Sequence, residues 1–211
     1  MKKVVLLAAF ILCFASVSLA QDKSKVEVFG GFSVNSIDTG LGDAGLQNTG
    51  DRETGLGFET SVTGFFNDQF GIEGNVDGHF KNKTFTFGSC AAIGCPAPGS
   101  FDAKVSTYNF MAGPHVRFPS ENSKVTPFLH ALAGGNHSKI RIDFTGTRFD
   151  DNETDFALKL GGGVDFGVSD RVGLRLSADW NPVFERGDGS NLTDDNRTRH
   201  DAVFSVGVVF K

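Results

Sequence analysis

The feature that most constrains the fold is an alternation of apolar and polar side chains, which returns in eight separate segments of the chain. It is cleanest in residues 70–81, where Ile72 and Val76 alternate with Glu73 and Asp77. A period of two places successive side chains on opposite faces of an extended strand, whereas a helix needs a period of about 3.6. Since no segment keeps a helical period, the sequence predicts an all-β protein of eight strands.

The lengths of the connections indicate how these strands are arranged. Three connections are short and turn-like: residues 67–69, 119–124 and 169–170. Four are long: residues 38–53, 82–102, 145–153 and 185–199. In an up-and-down meander, alternate connections lie at opposite ends, and short turns at one end with long loops at the other are typical of transmembrane β-barrels. The sequence therefore predicts an eight-stranded antiparallel up-and-down transmembrane β-barrel.

The fifth strand interrupts the regular alternation. Leu129 belongs to an apolar set at odd positions, but Ile140 belongs to one at even positions and opposes Arg141. Glycine pairs are compatible with β-bulges, which shift the phase of a strand by one residue. We therefore expect a bulge near Gly134 and Gly135.

The two faces of the strands differ in composition. The apolar face is predicted to contact lipid, and its clearest members are Val26, Val28, Phe58, Ile72, Val76, Phe110, Leu158, Leu174, Trp180, Phe204, Val208 and Phe210. The polar face is predicted to fill the lumen with a charge network formed by Glu27, Glu59, Glu73, Asp77, His79, His115, Arg117, Arg141, Asp143, Lys159, Asp165, Arg175 and Asp179. Because both signs of charge are present, we expect these groups to neutralise one another.

The alternation by itself leaves two other interpretations open. A soluble, secreted barrel would turn its apolar face inward and bind a small apolar ligand. A membrane barrel could instead be a narrow gated pore, although eight strands enclose little more than their own side chains. The asymmetry of the connections favours a membrane barrel, and the small interior of eight strands favours a closed one.

The N-terminal segment has the three parts of a signal peptide. Two lysines precede an apolar stretch over residues 4–17, and residues 18–20 provide a small-x-small cleavage site. We predict a signal peptide over residues 1–20 and an exported outer-membrane β-barrel domain over residues 21–211. The net charge of −5 also argues against a nucleic-acid partner, which would normally select a basic face.

Cys90 and Cys95 lie close together in a stretch rich in Gly, Ala and Pro. In an exported protein such a pair favours a local disulfide, and two free thiols are the alternative. A zinc site would need four ligands, and neither a histidine nor a second cysteine pair lies nearby.

The sequence carries no recognisable catalytic motif. His137 and Ser138 are adjacent, so they would point to opposite faces of a strand and could not act together. His115, His130 and His200 have no serine beside them in a nucleophile motif. We therefore expect a protein that is not an enzyme, with no cofactor and no metal ligands.

Two segments carry a resemblance to a known family. Residues 160–180 read as a glycine run, a strand, a Ser-Asp-Arg turn and an outgoing strand, and residues 203–211 form a C-terminal strand with Phe210 next to last. Both resemble the small OmpA-like and OmpX-like porin-fold barrels of Gram-negative outer membranes. The resemblance implies a monomer that contacts outer-membrane lipid and lipopolysaccharide. It also implies insertion by the barrel-assembly machinery through the C-terminal strand, and long extracellular loops that serve adhesion or recognition.

Overall fold

The computed structural model describes residues 25–38, 52–87, 99–119, 124–144, 147–185 and 197–211. Their strands are β1 (Val26–Asp38), β2 (Arg52–Phe65), β3 (Phe70–Phe87), β4 (Gly99–Arg117), β5 (Val125–Phe144), β6 (Thr147–Gly167), β7 (Val172–Glu185) and β8 (Arg197–Phe210). Each strand pairs antiparallel with its sequence neighbours, and β1 also pairs with β8, which closes the barrel. The predicted eight-stranded up-and-down barrel is confirmed. Within the described ranges, no helix is long and apolar enough to cross a membrane.

The β2–β3 and β6–β7 turns, the start of β1 and the end of β8 lie at one end of the barrel, which we call the turn end. The β2–β3 turn is held by Asn67, whose side-chain oxygen accepts hydrogen bonds from the N–H groups of Gln69 and Phe70 at 2.9 and 2.7 Å. Such self-bonding makes Asn a favoured turn residue. Lys211 donates its N–H to the Arg171 carbonyl in the β6–β7 turn at 2.9 Å. We call the opposite end the loop end.

The prediction of a long connection over residues 145–153 is wrong. Strand β5 continues to Phe144 and β6 begins at Thr147, so only two residues separate them. The strands β3 to β6 contain 18, 19, 20 and 21 residues, whereas the other four contain 13 or 14. A membrane-spanning strand needs about 9–11 residues, so β3 to β6 are long enough to continue well past the membrane at the loop end.

The predicted bulge in β5 is also wrong. Pairing with β6 continues without a slip from Val125 opposite Phe166 to Phe144 opposite Thr147. Gly134 is needed for another reason: a Cβ atom there would lie 1.9 Å from the Phe110 carbonyl oxygen of β4. The outward face of β5 becomes polar where the strand leaves the apolar belt, and this change of composition, at constant register, resembles a change of phase in the sequence.

Candidate functional site: the lumen and the outer face

The lumen is filled by layers of polar side chains. The layer nearest the turn end, which we call the arginine layer, contains Glu27, Arg117, Asp165 and Arg175. Arg117 Nη1 donates to Glu27 Oε1 at 2.6 Å, and Arg175 Nη2 donates to Glu27 Oε2 at 2.9 Å. Arg175 Nε also donates to Asp165 Oδ1 at 2.7 Å. The Arg175 guanidinium lies 4.4 Å from the centre of the Phe128 ring, a favourable cation–π distance. The two carboxylates of this layer therefore face two guanidinium groups, and the Lys211 ammonium lies 3.5 Å from Asp165 Oδ2.

Next to it lies the histidine layer, formed by Glu73, His115, His130 and Asp179. His115 Nδ1 lies 2.7 Å and His130 Nδ1 3.0 Å from the same oxygen, Glu73 Oε2. His130 Nε2 faces Asp179 Oδ1 at 2.8 Å. The His115 ring stacks on Phe128, with ring centres 5.0 Å apart. The contacts run from β3 through β5 to β7, and therefore cross the barrel.

The third layer, which we call the lysine layer, is centred on Lys159. This side chain is fully buried, and its ammonium donates to Glu59 Oε1 at 3.3 Å, to Asn75 Oδ1 at 3.0 Å and to Asp77. Charge-assisted hydrogen bonds of this kind are stronger than neutral ones. Because Lys159 lies on β6 and Glu59 on β2, four strands away in a ring of eight, this pair also spans the lumen.

Uncharged groups complete the lysine layer. Asn109 Nδ2 donates to Asp77 Oδ2 and Asn136 Nδ2 donates to Asn109 Oδ1, both at 2.6 Å. Ser205 donates to Glu59. These bonds leave the carboxylates of the layer well satisfied, as buried charges require.

The structure buries most of the residues predicted for the lumen: Glu27, Glu59, Glu73, Asp77, His79, His115, Lys159, Asp165, Arg175 and Asp179. Arg117 is 12% exposed at the rim and pairs with Glu27. The assignment of Arg141 to this network is wrong: it is 48% exposed and its Nε donates to Asp150 Oδ1 of β6 at 2.7 Å. The side chain of Asp143 lies outside the described residues.

Sequence reasoning missed several lumen residues. These are the charged residues Asp155 and Asp201, the histidine His130, and the neutral residues Asn75, Asn109, Asn136 and Ser205. Each of them has the inward parity of its strand, so parity alone would have found them. The predicted network left out these neutral partners, and it also left out Asp155, Asp201 and His130 although they can carry charge.

The outward face carries the residues predicted to contact lipid. In the isolated chain, nine of them are exposed: Val26, Phe58, Ile72, Phe110, Leu174, Trp180, Phe204, Val208 and Phe210. Val28, Val76 and Leu158 occupy the same face and are partly covered by neighbouring side chains. An apolar exterior around a polar interior is the arrangement that lipid requires and water disfavours.

Aromatic side chains mark the limits of this apolar belt. Phe66, Phe70, Phe118, Phe166 and Phe210 lie at the turn end, and Phe80, Tyr108, Phe156, Trp180 and Phe184 lie towards the loop end. Strand β3 runs about ten residues from Phe70 to Phe80, which at about 3.3 Å per residue and a tilt of about 40° spans about 25 Å of membrane. That height matches the apolar band of outer-membrane barrels.

Beyond the loop-end aromatics, β3 to β6 form a sheet that we call the projecting wall. The outward side chains that the structure describes here are polar and exposed, and they include Lys104, Lys139, Arg141, Asp150 and Asn152. This composition places the wall in water rather than in lipid. Cys90 and Cys95 and the proposed signal peptide, residues 1–20, lie outside the described residues, so the disulfide and the cleavage site remain predictions.

A closed antiparallel barrel with a lipid-sized apolar exterior and a charged, hydrogen-bonded interior is an integral membrane β-barrel. The sequence matches the outer membrane protein beta-barrel domain family over residues 5–211, and the chain belongs to that family. Its location in the outer membrane is thereby confirmed, and the soluble alternative is set aside. No curated protein sequence matches the chain.

Two solved structures illustrate the likeness. Ail, the attachment invasion locus protein of Yersinia pestis, in complex with the heparin analogue sucrose octasulfate, is 16% identical with a TM-score of 0.53, over 88% of this chain and 96% of that one. Neisserial surface protein A is 16% identical with a TM-score of 0.57, over 90% and 99%. At these identities the likeness concerns the fold alone.

Proposed function

We propose that this protein is a non-enzymatic outer-membrane barrel with a closed lumen, whose projecting wall and long loops form a recognition surface outside the cell. The observation that supports it is the length of β3 to β6, which carry a polar sheet past the apolar belt. A purely structural barrel could end its strands at the membrane surface. Short turns lie in the periplasm in this class of protein, so the wall faces the exterior.

Contacts that cross the lumen support the proposal that it is closed. Lys159 joins β6 to Glu59 on β2, and His130 on β5 lies between Glu73 on β3 and Asp179 on β7. Both sets of contacts connect opposite walls at different depths. A continuous water column would have to break them, and an eight-stranded barrel offers little space for one.

Electrical recordings test the closed lumen. In planar bilayers, the refolded barrel is expected to give no stable, porin-sized current steps, because buried ion pairs block the path at two levels. A control barrel with Lys159→Ala and Glu59→Ala lacks the crossing pair of the lysine layer. Its recordings show whether the histidine layer alone suffices to seal the lumen. Large stable steps from the unmodified barrel would replace this interpretation with a gated pore.

One buried serine–histidine contact among the described residues has the spacing of a nucleophile and its base, but its surroundings argue against catalysis. Ser33 Oγ lies 2.9 Å from His79 Nε2, which is hydrogen-bond distance for a serine and its base. However, His79 Nδ1 is 3.5 Å from Asp77 and has no hydrogen bond within the described residues, so the ring lacks an orienting partner. Ser33 is only 2% exposed, so a substrate does not reach it.

Insertion by the barrel-assembly machinery and a monomeric state belong to the same proposal. Strand β8 supplies the closing seam with β1 and ends on Phe210, which is exposed on the outward face at the turn end. Because the described strands close into a ring, their belt has no open sheet edge for a second copy to extend.

An adhesion assay tests the recognition role. A variant that replaces residues 141–150 by Asn-Gly shortens the β5–β6 hairpin above the membrane and leaves the belt and lumen intact. Cells of a non-adherent Gram-negative host that display the unmodified barrel are expected to remain on an epithelial monolayer severalfold more than cells with empty vector. Cells that display the shortened barrel at equal surface level are expected to lose this gain.

Arg141→Gln serves as the matched control, because it removes one surface charge and keeps the hairpin. Equal retention of cells with the unmodified barrel and with empty vector would contradict an adhesive role and leave the barrel a structural one.

A further inference from the structure

We propose that Glu73, His115 and His130 bind a divalent transition-metal ion such as Zn²⁺ inside the lumen, with Asp179 positioning His130. The Nδ1 atoms of both histidines lie against the same oxygen of Glu73, and each of the three residues offers a ligand atom within 4.8 Å of the others. The three residues come from β3, β4 and β5, so the ion would link three adjacent strands.

The separations are close to those that a metal needs. Glu73 Oε2 lies 2.7 and 3.0 Å from the two Nδ1 atoms. Ligand atoms around a tetrahedral ion with metal–nitrogen distances of about 2.0–2.1 Å are about 3.3 Å apart. On metal binding these two oxygen–nitrogen distances would therefore widen by about 0.3–0.6 Å.

The charge of the layer favours a dication. The histidine layer contains two carboxylates, those of Glu73 and Asp179. Asp179 Oδ2 is buried and has no hydrogen-bond partner among the described residues. The nearby cations Arg175 and Lys159 are each hydrogen-bonded to carboxylates of their own layers. A dication balances the two carboxylates without additional protons.

The histidine contacts point to the same conclusion. His130 faces a carboxylate at both ring nitrogens, and a neutral ring carries only one proton. It satisfies both either as an imidazolium or with a metal ion at Nδ1 and a proton at Nε2. In the second case Nε2 donates to Asp179, which is the carboxylate–histidine–metal arrangement that orients ligands in metal sites.

The surroundings hold His115 and limit water. Phe128 stacks on its ring, and Phe65 meets it edge-on with ring centres 5.6 Å apart. Two imidazoles and one carboxylate suit Zn²⁺ and similar ions better than Mg²⁺ or Ca²⁺, which prefer oxygen ligands. The site is therefore expected to bind Zn²⁺ in preference to Mg²⁺.

The test uses the full barrel, refolded in detergent and treated with a chelator. Calorimetric titration is expected to give one Zn²⁺ per barrel and no binding of Mg²⁺. X-ray absorption at the zinc edge of the unmodified barrel is expected to give nitrogen and oxygen ligands at about 2.0–2.2 Å, without the sulfur distance of about 2.3 Å that cysteine ligands would produce.

Variants then assign the ligands. His115→Phe keeps the ring stack and His130→Gln keeps a polar group, and each is expected to abolish stoichiometric binding. Asp179→Asn is expected to weaken it by about 10–100-fold. His79→Gln, which changes a buried lumen histidine outside the cluster, is expected to leave the affinity unchanged.

No stoichiometric Zn²⁺ binding, a sulfur-dominated spectrum, or full binding in both folded histidine variants would each overturn the proposal. If a variant does not fold, the spectrum of the unmodified barrel still decides between the lumen site and cysteine binding.

Discussion

Replacement of Lys159 by methionine is expected to lower the free energy of unfolding by about 3–5 kcal/mol, the usual cost of removing one partner from a buried ion pair. Lys159 is fully buried and is hydrogen-bonded to both Glu59 and Asp77. Without its ammonium group, two carboxylates remain in a lumen with little water. Urea unfolding in detergent micelles, followed by the fluorescence of Trp180, the single tryptophan, measures the change.

The matched control is Arg141→Met, which also removes a cation bonded to a carboxylate. Arg141 and Asp150 are about half exposed, so water replaces the lost contact and the expected change is at most about 1 kcal/mol. Arg117→Ala is expected to fall between the two, because its guanidinium lies at the rim of the lumen. Equal losses for Lys159→Met and Arg141→Met would contradict a dry, ion-paired lumen.

Placing an arginine on the outward face at Val76 is expected to cost about 2–4 kcal/mol, the range for a basic residue near the bilayer midplane. Val76 points outward on β3 between the aromatic limits at Phe70 and Phe80. A guanidinium there either enters hydrocarbon or distorts the bilayer around it. Reversible urea unfolding of Val76→Arg and unmodified barrel in lipid vesicles gives the difference.

Asn152→Arg provides the control for this experiment. It introduces the same side chain at an exposed, outward position of β6 above the belt, where water surrounds it, and its expected effect is within about 0.5 kcal/mol. A harmless Val76→Arg, or an equally harmful Asn152→Arg, would mean that the apolar belt has been placed at the wrong height.

The strand number, the pairing order and the two faces of the barrel were all predictable from the sequence. A strand places alternate side chains on opposite faces, so the parity of Ile72 against Glu73 is a local property that needs no knowledge of the rest of the chain. The same reasoning failed in β5, because the apolar stripe ends where the strand leaves lipid. Around Arg141 the outward side chains become polar because water replaces lipid, and the sequence alone cannot distinguish this from a one-residue shift in the alternation.

What the sequence determined by itself is therefore the barrel and the content of its two faces, since both follow from the spacing of neighbouring residues. Only the tertiary structure decided which lumen groups meet. Lys159 and Glu59 are 100 residues apart, and His130 meets Glu73 and Asp179 at separations of 57 and 49 residues. These contacts depend on closure of the barrel and on the stagger of its strands, and no local pattern records either.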